Sequence, residues 1–352
     1  MSKIIGIEIH DILGLSQPLT KLFEIVKMWY EHSYKMKKAD AGAYEIQVIS
    51  EAIANNIHFP VKYSDGNVTI NLQDSELAKR AGNRFFKQEL KRQQNIERIV
   101  DLARIELEKE KYVTDEPVDP DWTMRFFNSV EDISNEDMQK IWGKILAGEV
   151  KRPQSFSMRT LETLKNLSQK EALLFQKLAN FCFFGGNDIL LSGQNELLAN
   201  YGLRVIDILT IEECGLIQSS AGRMGLIITS ERSQNVTIHT QNIVGILSTK
   251  NGVNMQVDLP VHRLTGSGSE LFKIIEKSPN DEYFLSYLKY IRSTEKSINV
   301  SAHKITSLSK DGATYSTPDI LPPEDEIRPN PPPNTKMNKR KRIKHNSRKT
   351  VQ

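Results

Sequence analysis

Apolar positions fall into helical stripes along much of the chain. Ser16 fits an N-cap and Pro18 an early helical position, where a missing N–H costs least. Leu19, Leu22, Phe23, Val26, Trp29 and Tyr30 then recur at three- and four-residue spacing and predict an amphipathic helix. Ala39, Ala43, Ile46, Ile49 and Ile53 predict a second helix over 36–57. The period changes at Val61-Lys-Tyr63 and Val68-Thr-Ile70, which flank Ser64-Asp65-Gly66-Asn67, and Asp-Gly between two such runs predicts a hairpin. Over 74–112 only Gly82 interrupts a helical pattern, which predicts a rod of roughly 57 Å at 1.5 Å per residue.

Pro117 and Pro120 close this first part. Beyond them, Ser134 fits an N-cap, Glu136 and Asp137 suit the first turn, and Met138, Ile141, Trp142, Ile145 and Leu146 form an apolar face. Gly148 suits the stop and Pro153 prevents continuation. Ser157 opens a short helix with Leu161, Leu164 and Leu167, and Ser168-Gln-Lys-Glu171 is a capping box before Ala172, Phe175 and Leu178.

The next stretch has a winged-helix order: helices over 196–201 and 205–214, Gly215 as C-cap, then strands at 216–219 and 226–229 around a glycine-containing loop. Further strands are expected at 236–239, 243–247 and 255–259, helices at 269–277 and 281–292, and a closing strand pair around Asp311-Gly312. Seven of the 14 prolines lie between Pro318 and Pro333, so the folded part is expected to end near Thr317. The expected fold is mainly α with small β elements (α+β). Its parts are an N-terminal helical region with a hairpin and long helix (1–116), a central helical domain (117–185), a winged-helix-like module (186–317), and a disordered linker and basic tail (318–352).

Charge changes the picture only once it is divided. The chain carries 47 Lys/Arg and 44 Asp/Glu, but 324–352 alone hold nine basic and three acidic residues, which leaves 38 and 41 elsewhere. The body is mildly acidic and the excess basicity sits in the tail. Two cysteines, Cys182 and Cys214, make no disulfide framework or four-ligand zinc site, and both are expected to be buried in a reducing compartment. No apolar run approaches the roughly 20 residues needed to span a bilayer, and Glu8, His10 and Asp11 interrupt any signal-peptide core, so a cytoplasmic protein is expected.

Trp122, Phe126, Phe127, Ser134, Glu136, Met138, Gln139, Trp142, Leu146-Ala-Gly-Glu149, Pro153, Ser155-Phe-Ser157, Arg159-Thr-Leu161, Leu164, Leu167-Ser168 and Glu171-Ala172 form the most distinctive run. It resembles a bacterial family known as domain of unknown function 2806 and is more loosely similar to the alpha-type abortive-infection proteins of phage defence. The resemblance extends over 10–310. It implies a bacterial, cytosolic and antiviral protein and brings no reaction with it.

Enzyme motifs are missing: no phosphate loop, dinucleotide fingerprint, His-Glu-x-x-His or Gly-x-Ser-x-Gly occurs. Gly266-Ser-Gly-Ser269 lacks a lysine and reads as a turn capping the next helix, and His239, His262 and His303 are read as structural. No catalytic, cofactor or metal residue is assigned. At their helical spacings Trp122, Phe126, Phe127, Trp142 and Phe156 read as core, whereas Glu136, Glu149 and Arg159 are the polar family-like positions, read as first-turn charge compensation and a helix-end ion pair. The would-be recognition helix sets Arg204 against Asp207, Glu212 and Glu213, which repels DNA. Better cations for nucleic acid are Lys79, Arg80, Arg84, Lys87, Lys91, Arg92 and Arg98, and in the tail Lys339, Arg340, Lys341, Arg342 and Lys344. The leading expectation is a non-enzymatic interaction or sensor protein of phage defence, a homo-oligomer through its N-terminal helices with a further, unidentified protein partner. The alternative is sequence-indifferent nucleic-acid binding through the tail and the 79–98 segment, and an unrecognised nuclease comes third.

Overall fold

Ser16 opens helix α1 (17–33), its carbonyl accepting from the amides of Leu19 and Thr20, both at 3.0 Å. This is a computed structural model, and it describes residues 3–4, 7–8, 16–33, 61–64, 67–70, 76–218, 235–250, 259–309 and 312–321. The helix expected over 36–57 lies outside the described residues. Two short strands, β1 (Lys3–Ile4) and β2 (Ile7–Glu8), pair antiparallel. The expected hairpin is β3 (Val61–Ser64) against β4 (Asn67–Ile70), in register so that Ser64 faces Asn67 across Asp65-Gly66.

The long helix, α2 (Glu76–Leu107), is 32 residues, about 48 Å. Packing around its C-terminal half builds the first core. α3 (Pro120–Val130) starts on the Asp119 cap, with proline at N1. α4 (Glu136–Lys151) runs alongside α2 in the same direction, from the Asn95–Gln139 contact to the Glu110–Lys151 ion pair. The two are so close that a Cβ on Gly143 would lie 2.7 Å from the Leu102 Cβ. Its N-cap is Asn135, which accepts from the Met138 amide, and not Ser134, whose hydroxyl instead meets the Asn95 amide group at 3.3 Å. Gly148 likewise does not stop this helix. It lies inside it, where a Cβ would come 2.6 Å from the Phe156 ring. Gly148 is thus a site of close approach, and the helix ends where Pro153 follows. Asn95 and Gln139, both buried, tie α2 to the α3–α4 turn through the carbonyls of Glu131 and Ile133 (2.8 Å each). Ser157 caps α5 (Met158–Asn166), and the Ser168–Glu171 box caps α6 (Gln169–Ala179).

An eight-stranded antiparallel sheet makes up the second layer. Its strands are β5 (Phe183–Gly185), β6 (Asp188–Ser192), β7 (Ile217–Gln218), β8 (Val236–His239), β9 (Ile243–Thr249), β10 (Val261–Leu264), β11 (Ile298–Ser309) and β12 (Gly312–Tyr315). Across the sheet the order is β12-β11-β9-β8-β5-β6-β10-β7. The fold is therefore α+β, with far more sheet than the small β elements expected. Between the strands run α7 (Asn195–Asn200), α8 (Val205–Glu213), α9 (Gly266–Ile274) and α10 (Asp281–Thr294). α10 lays Phe284, Tyr287, Leu288 and Ile291 on one sheet face, against Phe183, Ile238, Leu247 and Val300. Phe184 on the other face meets Phe272 of α9 edge-on at 5.9 Å.

The helix–helix–strand order of a winged helix occurs as α7–α8–β7, but β7 is an edge strand of the large sheet, paired with β10. The expected wing and the strands at 226–229 and 255–258 lie outside the described residues. Packing also runs past Thr317: the Ile320 amide donates to the Ala302 carbonyl (2.8 Å), Asp319 accepts from the Ala302 amide (2.9 Å), and Leu321 is buried.

Candidate interaction surface

The two halves of α2 differ. Asn95, Ile96, Ile99, Val100, Ala103 and Leu107 are buried, whereas no described side chain before Asn95 on this helix is. The N-terminal half therefore projects from the bundle. Phe85 sits eleven residues before Ile96, so at 3.6 residues per turn it points within about 20° of the same direction. The core stripe thus continues beyond the helices that cover it. Phe85 is 65% exposed, Phe86 69% and Leu90 49%.

The basic residues sort by face. Arg80, Arg84, Lys87, Lys91 and Arg98 follow spacings of four, three, four and seven, which aligns them within about 60° on the side away from Phe85. All five are exposed. Arg92 leaves this set: it turns to the body and pairs with Glu89 (3.2 Å), Asp132 (3.0 Å) and Glu131 (3.5 Å). The hydrogen bond it donates to Asp132 is the largest cause raising its pKa, against desolvation, with Glu131 adding to it. Arg98 has a looser partner in Asp101 at 3.7 Å. Lys79 belongs to the helix, but its side chain lies outside the described ones, as do Lys339, Arg340, Lys341, Arg342 and Lys344.

The five aromatic residues of the central run lie in the core. Trp122 and Phe126 stack at 5.1 Å, Phe126 meets Phe127 and Trp142 edge-on, and Phe127 stacks on Trp29 of α1 at 4.5 Å. The Trp122 indole N–H donates to the Phe156 carbonyl at 2.7 Å. Trp29 is therefore buried in its own chain and only Tyr30, 43% exposed, faces out.

The polar positions part company. Glu136 and Arg159 are exposed, while Glu149 is only 1% exposed. Among the described residues no ion pair with Arg159 forms. Glu149 instead accepts from the amides of Gln154 (2.6 Å) and Phe156 (3.1 Å), holding a loop in which Gln154 has φ +65°. Burial pushes its carboxyl above the usual carboxylate value, against the pull of the loop amides, and Glu270 adds to the push. Glu270 holds the same loop from α9 through the Ser157 amide (2.7 Å) and the Thr160 hydroxyl (2.5 Å). Both carboxylates thus brace the 152–160 segment, Glu149 through two backbone amides and Glu270 through one amide and one hydroxyl.

Other candidates do not assemble into a site. Gly266–Ser269 is the first turn of α9, capped by Thr265. His239 and His303 flank Val244 in one cross-strand row, while His262 is buried on β10, so the three do not meet. Cys182 is buried, and Cys214, expected to be so, is only half-buried at the end of α8. A cavity of ≈ 640 Å³ opens between α1 and the 113–118 segment. The Lys21 ammonium beside it already donates to the carbonyls of Thr114 (2.7 Å) and Glu116 (2.6 Å). On α8, Val205, Ile206 and Leu209 are 46–56% exposed, while Arg204 is held by Asp207 at 3.2 Å. The face that would read DNA is thus apolar.

A family model described as "Protein of unknown function (DUF2806)" matches residues 79–289. The chain belongs to this family. The DUF2806 match is shorter than the 10–310 expected of the resemblance: it leaves out α1, β11 and β12 and takes in the projecting half of α2 from Lys79 onward. No curated protein and no solved structure matches the chain. Among the described residues no helix is long and apolar enough to cross a membrane.

Proposed function

We propose that this protein acts without catalysis, as an interaction protein that pairs with a second copy of itself through the projecting half of α2. The observation that carries the reading is the exposure of Phe85, Phe86 and Leu90 on a helix that has left its own core. Apolar surface kept in water costs about 25 cal/mol per Å². A second α2 laid against that side would cover it, while the basic stripe on the far side would stay outside the pair. Trp29, by contrast, is already taken up by Phe127 and contributes nothing to such an interface. The α7–α8–β7 unit is winged-helix-like in its order, and its exposed Val205, Ile206 and Leu209 favour contact with a further protein over contact with DNA. The phage-defence role rests on the likeness to abortive-infection proteins alone, and plating efficiency of phages on cells with and without the gene tests it separately.

Light scattering on the intact chain at tens of micromolar should give twice the 40.1 kDa chain mass. Phe85→Ser with Phe86→Ser and Leu90→Ser should return a folded monomer with unchanged thermal stability of the body. A monomeric wild type, or a variant that keeps the double mass, would refute the pairing.

A further inference from the structure

The cations of α2 have been divided by the fold. Arg92 is engaged by three carboxylates on the body side, and Arg104, further along, by Asp101. Arg84, Lys87 and Lys91, in contrast, have no ion pair among the described residues and face water on one line. The acids of this stretch, Glu89 and Glu97, lie on other sides of the helix: Glu89 is turned to Arg92, and Glu97 accepts from Gln93. A solvated helix face usually mixes its charges, because neighbouring i,i+4 pairs of opposite sign stabilise it and like charges four apart destabilise it by a few tenths of a kcal/mol each. Lys87–Lys91 is such an unfavourable pair, kept on a helix segment with no buried side chain among the described ones before Asn95. From Arg80 to Arg98 the stripe runs about 27 Å at 1.5 Å per residue, a length that meets several successive phosphates.

We propose that this outward stripe binds the phosphate backbone of nucleic acid without reading its sequence, with Arg84, Lys87 and Lys91 as the principal contacts and Arg80 and Arg98 at the ends. Charge complementarity identifies the occupant: a linear row of cations with no acid between them fits a linear polyanion. Gln94 lies exposed on the same line, but cations outnumber it, so phosphate contact, which carries no sequence information, dominates over base reading. An anionic membrane fits less well, since an interfacial helix buries the apolar side opposite its cations, and that side here includes Glu89 and Glu97. The inference does not depend on self-association, because the stripe and the Phe85 side are different faces.

The test measures affinity for a random-sequence duplex, for a single strand of equal length and for phosphatidylserine-containing vesicles, at several salt concentrations. The full chain is compared with Arg84→Glu/Lys87→Glu/Lys91→Glu, with a tail variant (Lys339→Gln, Arg340→Gln, Lys341→Gln, Arg342→Gln), and with an off-stripe control, Arg159→Glu/Lys165→Glu. The stripe variant should lose at least about tenfold in affinity and shed about three units of the slope of log affinity against log salt, since each phosphate contact contributes about −0.9. The milder Arg84→Gln/Lys87→Gln/Lys91→Gln, which keeps helix propensity, should lose less in the same direction, and the control should change less than twofold. Duplex weaker than single strand would place the phosphates of unpaired strands on the stripe. Loss of binding only with the tail variant, an equal loss in the control, or binding to vesicles without binding to either nucleic acid would overturn the proposal.

Discussion

Glu149→Ala is expected to lower the stability of the folded chain by about 3–5 kcal/mol, measured by denaturant unfolding. Hydrogen bonds to a charged group contribute about 1.5–3 kcal/mol each, and a buried amide left without a partner costs its full desolvation. Here two amides, of Gln154 and Phe156, lose their acceptor at once. The loop they belong to carries the Phe156 carbonyl that receives the Trp122 indole, so the damage reaches the aromatic core. Glu149→Gln should cost about 2 kcal/mol, because its NH2 must face one of two N–H donors. The pH dependence follows from burial, which holds this carboxyl above its ordinary value of 4.5. The folded chain then keeps the proton more tightly than the unfolded chain. The carboxyl's titration therefore adds most to stability below 4.5, and that addition is lost as pH rises through the folded value. Glu149→Gln should remove this slope, and an unchanged slope would show that another group causes it.

Trp142→Ala should cost about 3–5 kcal/mol, the range for a large aromatic removed from a packed core. Trp142 is fully buried, its ring set edge-on against Phe126 of α3 at 5.5 Å. Among the described residues its indole N–H has no hydrogen-bond partner. Trp142→Phe, which removes that buried donor and keeps most of the ring, should therefore cost less than about half as much. If the two variants were equally destabilising, the indole N–H would have a partner after all.

Helices were the legible part of this sequence, because their signals are local. Ser157 and the Ser168–Glu171 box mark starts that the structure keeps, and the Asp65-Gly66 hairpin appears in register. Ser134 and Asn135 are both good caps side by side, and only the side chain that turns toward the Met138 amide decides between them. Gly148 was ambiguous for a different reason: a glycine after an apolar stripe fits both a stop and a close approach, and the approaching Phe156 is eight residues away. The sheet was underestimated although one signal was present. Gly185-Gly186-Asn187 separates Phe183-Phe184 from Ile189–Leu191, a hairpin pattern masked by the helical run directly before it. β10 had no such signal, since Val261 and His262 are both buried and the alternation fails. The exposed face at Phe85 was invisible in sequence because its stripe is continuous with that of Ile96. Only the length of the packed bundle separates a covered residue from a bare one.

The most direct test of the account places a photo-reactive residue on that bare face. Phe86→p-benzoylphenylalanine in the full chain, irradiated at tens of micromolar, should give a cross-linked product of twice the chain mass. Mass spectrometry should locate the second attachment within about 83–93 of another copy, and a mixture with isotope-labelled chain should show the link to be between copies. Cross-links confined to the same chain, or none above those of the same residue placed at exposed Arg159, would contradict the claim that α2 pairs with a second copy.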